Sequence, residues 1–419
     1  MGRTPLTLAD VDLENDVFAE RVPHETFALL RREAPVWWYE WKGGRGFWCV
    51  TKHADVVAVS RDTKTYSSEV GGANLEDLDE DARAARQSML ETDPPRHTRL
   101  RGLVGPPFTP RAVRAYELAL RELTHDVLDR ALPLREFDFI EEIAKELPIR
   151  VLARLLGVRE ADTDRLIVWG DRMIANTDPD FTDVLHDSPE SERYRLLPFR
   201  SPAALELFEY AHRIAAERRA RPKDDLVSKL VHAEIDGERL SEREFDTMFL
   251  LLVVAGNETT RQAIAHGMLA LLEHREEWDR LRDQPVLIAD AGADEILRWS
   301  TPVLHFRRTA TADVELRGQW IRAGDKVVVW YVSANFDEDV FDDPFRFDVG
   351  RTPNRHITFG GGGPHYCLGA HLAKLEVQVL FDELLPRVAD VELTGPVERM
   401  RTNFTNALKR MPVRISPAR

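Results

Sequence analysis

The sequence predicts a mainly α-helical fold with small β-sheets, and three observations carry that expectation. From Pro94 onward, apolar residues recur at helical spacing over 96–104, 111–131, 138–156, 160–175, 201–219, 224–235 and 241–274. Strand-like patterning is confined to short runs, Gly46 to Thr51 and then Val314, Leu316, Trp320, Ile321 and Lys326 to Val332, broken by the turn Ala323-Gly324-Asp325. No Pro-, Gly- or Ser-rich linker and no internal repeat divides the 419 residues, so 1–419 reads as one domain.

Taken in order, the stretch Met1 to Asp16 is polar and acidic, without the basic-then-apolar pattern of a secretory leader. The first strand-like run holds Cys49 between Trp48 and Val50, the setting of a core thiol. The segment Thr177 to Ser201 is rich in Asp, Pro, Ser and Glu without periodicity and reads as a mobile loop between two helices, able to act as a lid. The longest apolar run, Phe249 to Ala255, is far shorter than the roughly 20 residues that cross a bilayer, so no membrane anchor is expected. Two cysteines cannot form a disulfide framework, which suits a reducing, cytoplasmic location. A net charge of −15 argues against nucleic acid as a general partner.

Chemistry concentrates in two segments. Phe359-Gly360-Gly361-Gly362-Gly363-Pro364-His365-Tyr366-Cys367-Leu368-Gly369 sets a cysteine directly before a helical stretch starting near Ala370. Glycines allow close passage beneath a flat macrocycle, and the N–H groups and dipole of a following helix favour a thiolate. The loop therefore reads as a haem-thiolate ligand site that would push electron density toward O–O cleavage. An anion cradle and an inert core cysteine are the alternatives. The second segment is Ala255-Gly256-Asn257-Glu258-Thr259-Thr260, in the middle of a helix of about 33 residues, on the order of 50 Å long. Gly and Thr-Thr at mid-helix are locally unfavourable, which marks either function or a packing kink or exposed polar turn.

Together these segments resemble the cytochrome P450 family, whose cysteine signature Phe-x-x-Gly-x-His/Arg-x-Cys-x-Gly is matched by Phe359, His365, Cys367 and Gly369. The stretch from Phe359 to Cys367 is one residue longer than the commonest form, a variant associated with bacterial members acting on steroids and branched lipids. The family's Ala-Gly-x-Asp/Glu-Thr motif is met at Ala255 to Thr259, so the resemblance implies that Glu258 relays protons and Thr259 orients their delivery to oxygen. The family's fold follows, with one haem b between the long helix and the cysteine loop and Cys367 as the iron ligand. Glu295 and Arg298 lie on one helix face and, by the same resemblance, pair with Arg346 of Pro344-Phe345-Arg346-Phe347, or with Arg351, to brace the ligand loop. On residues alone such a pair is an ordinary surface feature.

The resemblance also implies propionate contacts from His97 and Arg101, Arg308, and His356, each of which alone would read as a surface charge. Pocket-lining positions correspond to Met89-Leu90, Val254-Ala255, Val303-Leu304-His305-Phe306 and Phe404, mostly apolar and suited to a hydrophobic small molecule. The run Asn406 to Val413, with the two motifs above, resembles hydroxylases of steroids, terpenoids and methyl-branched chains. The implied activity is an O2-dependent monooxygenase fed by a separate ferredoxin or flavodoxin with its reductase. A basic patch of Arg96, Arg99, Arg111, Arg114 and Lys374 would steer such an acidic carrier, ordinary solvated helix charge being the alternative. Rival readings are a haem-thiolate isomerase, dehydratase or peroxygenase and a haem sensor. None of them needs the Glu258–Thr259 pair.

Overall fold

A computed structural model describes residues 6–235 and 237–418, so the sequence reading of residues 1–5 lies outside the described residues. The helix Glu242–Glu273 runs unbroken through the core for 32 residues, about 48 Å. Ser241 starts it with a reciprocal cap: its hydroxyl accepts from the Glu244 N–H at 3.2 Å, while the Glu244 carboxylate accepts from the Ser241 N–H at 2.9 Å. The helix is apolar around most of its circumference and accordingly buried. Helices Glu146–Leu156, Thr163–Ile174, Ala203–Ala220 and Ala293–Ser300 pack against it, and Ala370–Leu384 meets it from the C-terminal side.

Five strands form the main sheet, in the order Val36–Tyr39, Phe47–Val50, Lys326–Trp330, His305–Ala310, Tyr66–Ser67. Only the Phe47–Val50 and Lys326–Trp330 pair is parallel. Cys49 is buried within a cluster that includes Phe18, Phe27, Leu304 and Trp330. The small hairpin Val314–Leu316 with Gln319–Ile321 lies where alternation predicts it.

Helix boundaries depart from expectation where tertiary pairing takes over. Residues 138–156 do not form one helix, because Glu136–Asp138 pairs with Pro412–Pro417 and a π-turn, Ile140–Ala144, precedes Glu146–Leu156. The expected helix over 224–235 shrinks to Leu226–Val231, capped by the Asp225 carboxylate on the Ser228 N–H at 2.7 Å. The expected loop at 177–201 contains the short turns Pro189–Tyr194 and Pro198–Arg200, and is tied down by charge. Glu76 there meets Arg86 at 2.6 Å, Arg200 at 2.5 Å and His186 at 3.2 Å. Burial pushes the Glu76 carboxyl up, but the hydrogen bond from His186 and the Arg86 guanidinium overcome it and hold the pKa at about 2.

Glu295 and Arg298 are fully buried and paired through two parallel hydrogen bonds, at 2.7 and 2.8 Å. Arg298 also donates to the carbonyls of Asn335 and Pro344, both at 2.9 Å. Glu295 accepts from Asn354 at 3.0 Å and from the Asp348 N–H at 3.0 Å. The third charge is Arg351, whose Nε reaches Glu295 at 3.2 Å. Arg346, the expected partner, is exposed; it contributes only its carbonyl, which accepts from Arg351 at 2.7 Å. Asn335 carries the cluster onward, donating to Thr358 at 2.9 Å and accepting from the Ile357 N–H at 2.8 Å, immediately before Phe359.

Removing one partner of a buried pair strands the other, so Glu295→Ala and Arg298→Ala are expected to lower folding stability by about 3–5 kcal/mol in denaturant titrations. Arg346→Ala should change it by less than about 1 kcal/mol. Equal losses from Arg346→Ala would return that side chain to the cluster.

Candidate functional site

The loop before Ala370–Leu384 is shaped by contacts on both sides. The Cys367 N–H donates to the Phe359 carbonyl at 2.9 Å and the Tyr366 N–H to Gly363 at 3.2 Å, closing a compact turn. Gly361 lies so close to helix His53–Arg61 that a Cβ there would sit 2.8 Å from the Val57 Cα. Gly363, at φ +80°, would meet the Ser60 carbonyl at the same distance. Among the glycines of the run, Gly360 lines the central cavity. The glycine-rich composition thus serves packing against an N-terminal helix as much as access from the cavity.

Cys367 is exposed, but into an interior cavity of about 240 Å3 rather than to bulk solvent. Burial pushes its thiol pKa up; the Gly369 N–H, at the start of helix Ala370–Leu384, and the Arg101 charge pull it back. One stripe of the long helix, Leu252, Ala255, Gly256, Thr259, Thr260 and Ala263, lines the same cavity at helical spacing. The Thr259 hydroxyl donates to the Ala255 carbonyl at 2.9 Å, the back-bond that mid-helix Thr makes. Met89, Leu90, Val303, Phe306 and Phe359 complete walls that are largely apolar.

Around the cavity stand His97, Arg101, Arg308 and His365. The His97 and His365 rings are 4.3 Å apart. Burial, then the charges of His365 and Arg101, push the His97 pKa down to about 4, and burial also lowers Arg308. His97 Nδ1, Arg308 Nε and His365 Nε2 are buried without hydrogen-bond partners, and the acid nearest His365 is Asp93 at 3.9 Å. A cluster of buried donors facing a cavity with a thiol in its wall fits a flat cofactor carrying anionic groups, as haem does.

Five expected site residues are placed differently. His356 does not line the cavity; it turns to Asp294 at 3.5 Å, an acid shared with Lys374 at 2.8 Å. Leu304 packs into the aromatic cluster around Trp330, while Val303 and Phe306 to either side of it line the cavity. Val254 and Phe404 line a second, adjoining cavity. Glu258 sits one step round the helix from Thr259, outside the cavity wall, buried against Arg261 and accepting from Gln262 at 2.8 Å. Arg261 also meets Asp171 at 2.5 Å. Burial raises the Glu258 pKa, Arg261 opposes it and Asp171 adds to it.

Two residues escaped the sequence reading. Glu376 lines the cavity with one carboxyl oxygen unpartnered, and burial pushes its pKa up to about 8. Its place in the apolar helix run Ala370–Leu384 was the available signal, since a lone acid on a buried face is rare. The network partner Asp171 lies 90 residues before Arg261, beyond any local pattern.

Known proteins resemble the chain along nearly its whole length. A family model described as cytochrome P450 matches residues 15–389. A steroid C26-monooxygenase of Mycolicibacterium smegmatis is 40% identical, covering 98% of this chain and 95% of its own. A methyl-branched lipid omega-hydroxylase of Mycobacterium bovis is also 40% identical, over 97% of this chain and 95% of its own. Among solved structures, Mycobacterium marinum cytochrome P450 CYP268A2 in complex with pseudoionone superposes with a TM-score of 0.87 at 41% identity, covering 96% of this chain and 98% of that one. With a cysteine loop, a threonine-bearing helix stripe and buried donors around one cavity, and with these matches along nearly its whole length, the chain belongs to the cytochrome P450 family.

Proposed function

We propose that this monooxygenase hydroxylates the end of a branched hydrocarbon chain, on a steroid, terpenoid or methyl-branched lipid, with electrons from a separate ferredoxin. The observation that carries the reading is the apolar cavity with the Cys367 thiol and the Thr259 stripe in its walls. The names of two relatives add the regiochemistry, since C26 of a steroid and the omega carbon of a lipid are both chain ends.

Haem, when bound, supplies the oxidising chemistry, inserting one atom of O2 into a C–H bond while two electrons and two protons turn the other into water. Cys367 would hold its iron, with the thiolate stabilised by the Gly369 N–H and the helix N-terminus. His97, Arg101, Arg308 and His365 would hold its carboxylates, satisfying nitrogens that otherwise lack partners. Thr259 holds a proton at Oγ1 in the cavity wall. Glu258, its pKa raised by burial, would relay a second from behind the helix, within the network of Arg261 and Asp171. The apolar walls exclude bulk water and receive the hydrocarbon.

For the electron carrier, the expected basic patch is thinner than its sequence suggests: Arg96 pairs with Glu244 at 2.8 Å and Lys374 with Asp294. Arg111 and Arg114, exposed on helix Pro110–Ala115, are the proposed docking charges for an acidic partner. Among the described residues no helix is long and apolar enough to cross a membrane. Two free cysteines suit the cytoplasmic location we propose.

The reduced carbonyl complex should show the red-shifted Soret band of a thiolate ligand, kept in Cys49→Ser and lost in Cys367→Ser; the reverse pattern would move the ligand to Cys49. Thr259→Ala should keep folding, haem content and substrate binding while diverting electrons from product to peroxide or water. Glu258→Gln should slow turnover about 10²-fold, the contribution of one positioned acid. Product formed per electron pair consumed measures both, and unchanged values in the two variants would remove proton delivery from this helix.

A further inference from the structure

Beside the cavity above Cys367 lies a second, of about 170 Å3, and the two share Leu90 and Leu251 in their walls. The inner chamber is largely apolar outside its cluster of His97, Arg101, Arg308 and His365, whereas the outer one presents His305, Asn176, Thr402 and Asn403. His305 is only 1% exposed, yet neither ring nitrogen has a hydrogen-bond partner. Its ring is held by two aromatic neighbours: strand register sets it opposite Trp330, with ring centres 4.6 Å apart, and Phe404, which also lines the chamber, stands 5.7 Å away. The Asn403 side chain is a polar neighbour whose oxygen favours a proton on the ring, but no hydrogen bond of full geometry forms; its amide nitrogen donates to the Leu13 carbonyl at 2.8 Å. Burial pushes the imidazole pKa down to about 3, so the ring is neutral and offers one donor and one acceptor.

Charges around this chamber are matched among themselves. Glu76 takes Arg86, Arg200 and His186. Arg86 keeps Nε without a partner, but its other two nitrogens serve Glu76 and the Arg195 carbonyl. Glu91 accepts from the N–H and hydroxyl of Ser88, both at 3.3 Å, and burial raises its pKa. Neither a carboxylate nor an ammonium head would gain a fresh opposite charge there. A neutral oxygen would gain the His305 ring, the uncharged group left open in the wall.

We infer that His305 is a specificity-determining residue that hydrogen-bonds a neutral oxygen, a ketone or a hydroxyl, at the end of the substrate remote from the oxidised carbon. The inference rests on the reading above, in which the inner chamber takes the hydrocarbon end. It makes the substrate a two-ended molecule: apolar and branched toward Cys367, singly oxygenated toward Asn403.

The test uses haem-loaded protein and two matched pairs of probes: a ketosteroid with a branched alkyl tail against the same skeleton without the ketone, and a methyl-branched long-chain alkanol against its alkane. Affinity is read from the displacement of the Soret band on titration. His305→Phe, which preserves the ring packing, should weaken the oxygenated member of a pair about tenfold and its hydrocarbon by less than about twofold. His305→Gln, which keeps a donor and an acceptor, should recover most of the loss. Selective loss in the steroid pair identifies a ring ketone, and in the alkanol pair a chain hydroxyl. Equal loss for both members of each pair, or none, overturns the assignment of His305 while leaving the hydroxylase reading intact. If the wild type binds none of the four probes, the hydroxylase reading fails and the inference with it. Should His305→Phe fail to load haem, His305→Leu carries the same comparison.

Discussion

A fully buried ion pair organises the half of the molecule that carries the chemistry. Glu295 and Arg298 share one short helix, but their remaining hydrogen bonds all leave it, reaching Asn335, Pro344, Asp348, Arg351 and Asn354. These groups belong to an irregular stretch between the last strand of the main sheet and the cysteine loop, which has few backbone partners of its own. Two ions removed from water are unstable unless every lone pair and proton is met, so the loop can adopt only the path that satisfies them. The pair acts on Cys367 indirectly, through Asn335 and Thr358, and the stability it contributes matters less than the uniqueness it imposes.

The long helix performs a different task, separating two environments one residue apart. Its cavity stripe is small and apolar apart from the Thr259 and Thr260 hydroxyls, while Glu258 and Arg261 are sealed within a charged network that reaches Asp171. A charged group in the cavity would draw water in; a proton source with no route to it would be useless. Placing the carboxyl one step round the helix keeps it close without wetting the cavity. Gly256 suits this arrangement because the Leu152 side chain would stand 3.3 Å from any Cβ placed there.

What could be read from the sequence was local. The cysteine loop, the long helix and the strand-like runs are written in neighbouring residues, and the structure places them where their patterns lie. Choosing Arg351 over Arg346 needed the third dimension, since both arginines follow the same helix at similar distance and only the turn at Asp348 decides which side chain points inward. His356 and His365 posed the same problem, two histidines flanking one loop, of which His365 lines the cavity. Leu304 was lost to tertiary packing, since it turns into the aromatic cluster while Val303 and Phe306 around it face the cavity. Glu376, and the open ring nitrogens of His305, were hidden for another reason: nothing in a sequence tells whether a polar side chain finds a partner.

The close seating of Gly361 and Gly363 on helix His53–Arg61 bears on how the molecule is assembled. The loop that presents Cys367 completes its shape only against backbone made about 300 residues earlier, with the Arg61 side chain donating to the Gly361 carbonyl at 3.1 Å. Closing so long a loop is entropically slow and must precede the contacts that reward it. The thiol-bearing wall is therefore a late product of folding, finished only when the two ends of the chain have met. A nascent chain emerging N-terminus first holds half of this seat long before it holds the other, and cofactor capture belongs to the last stage of its maturation.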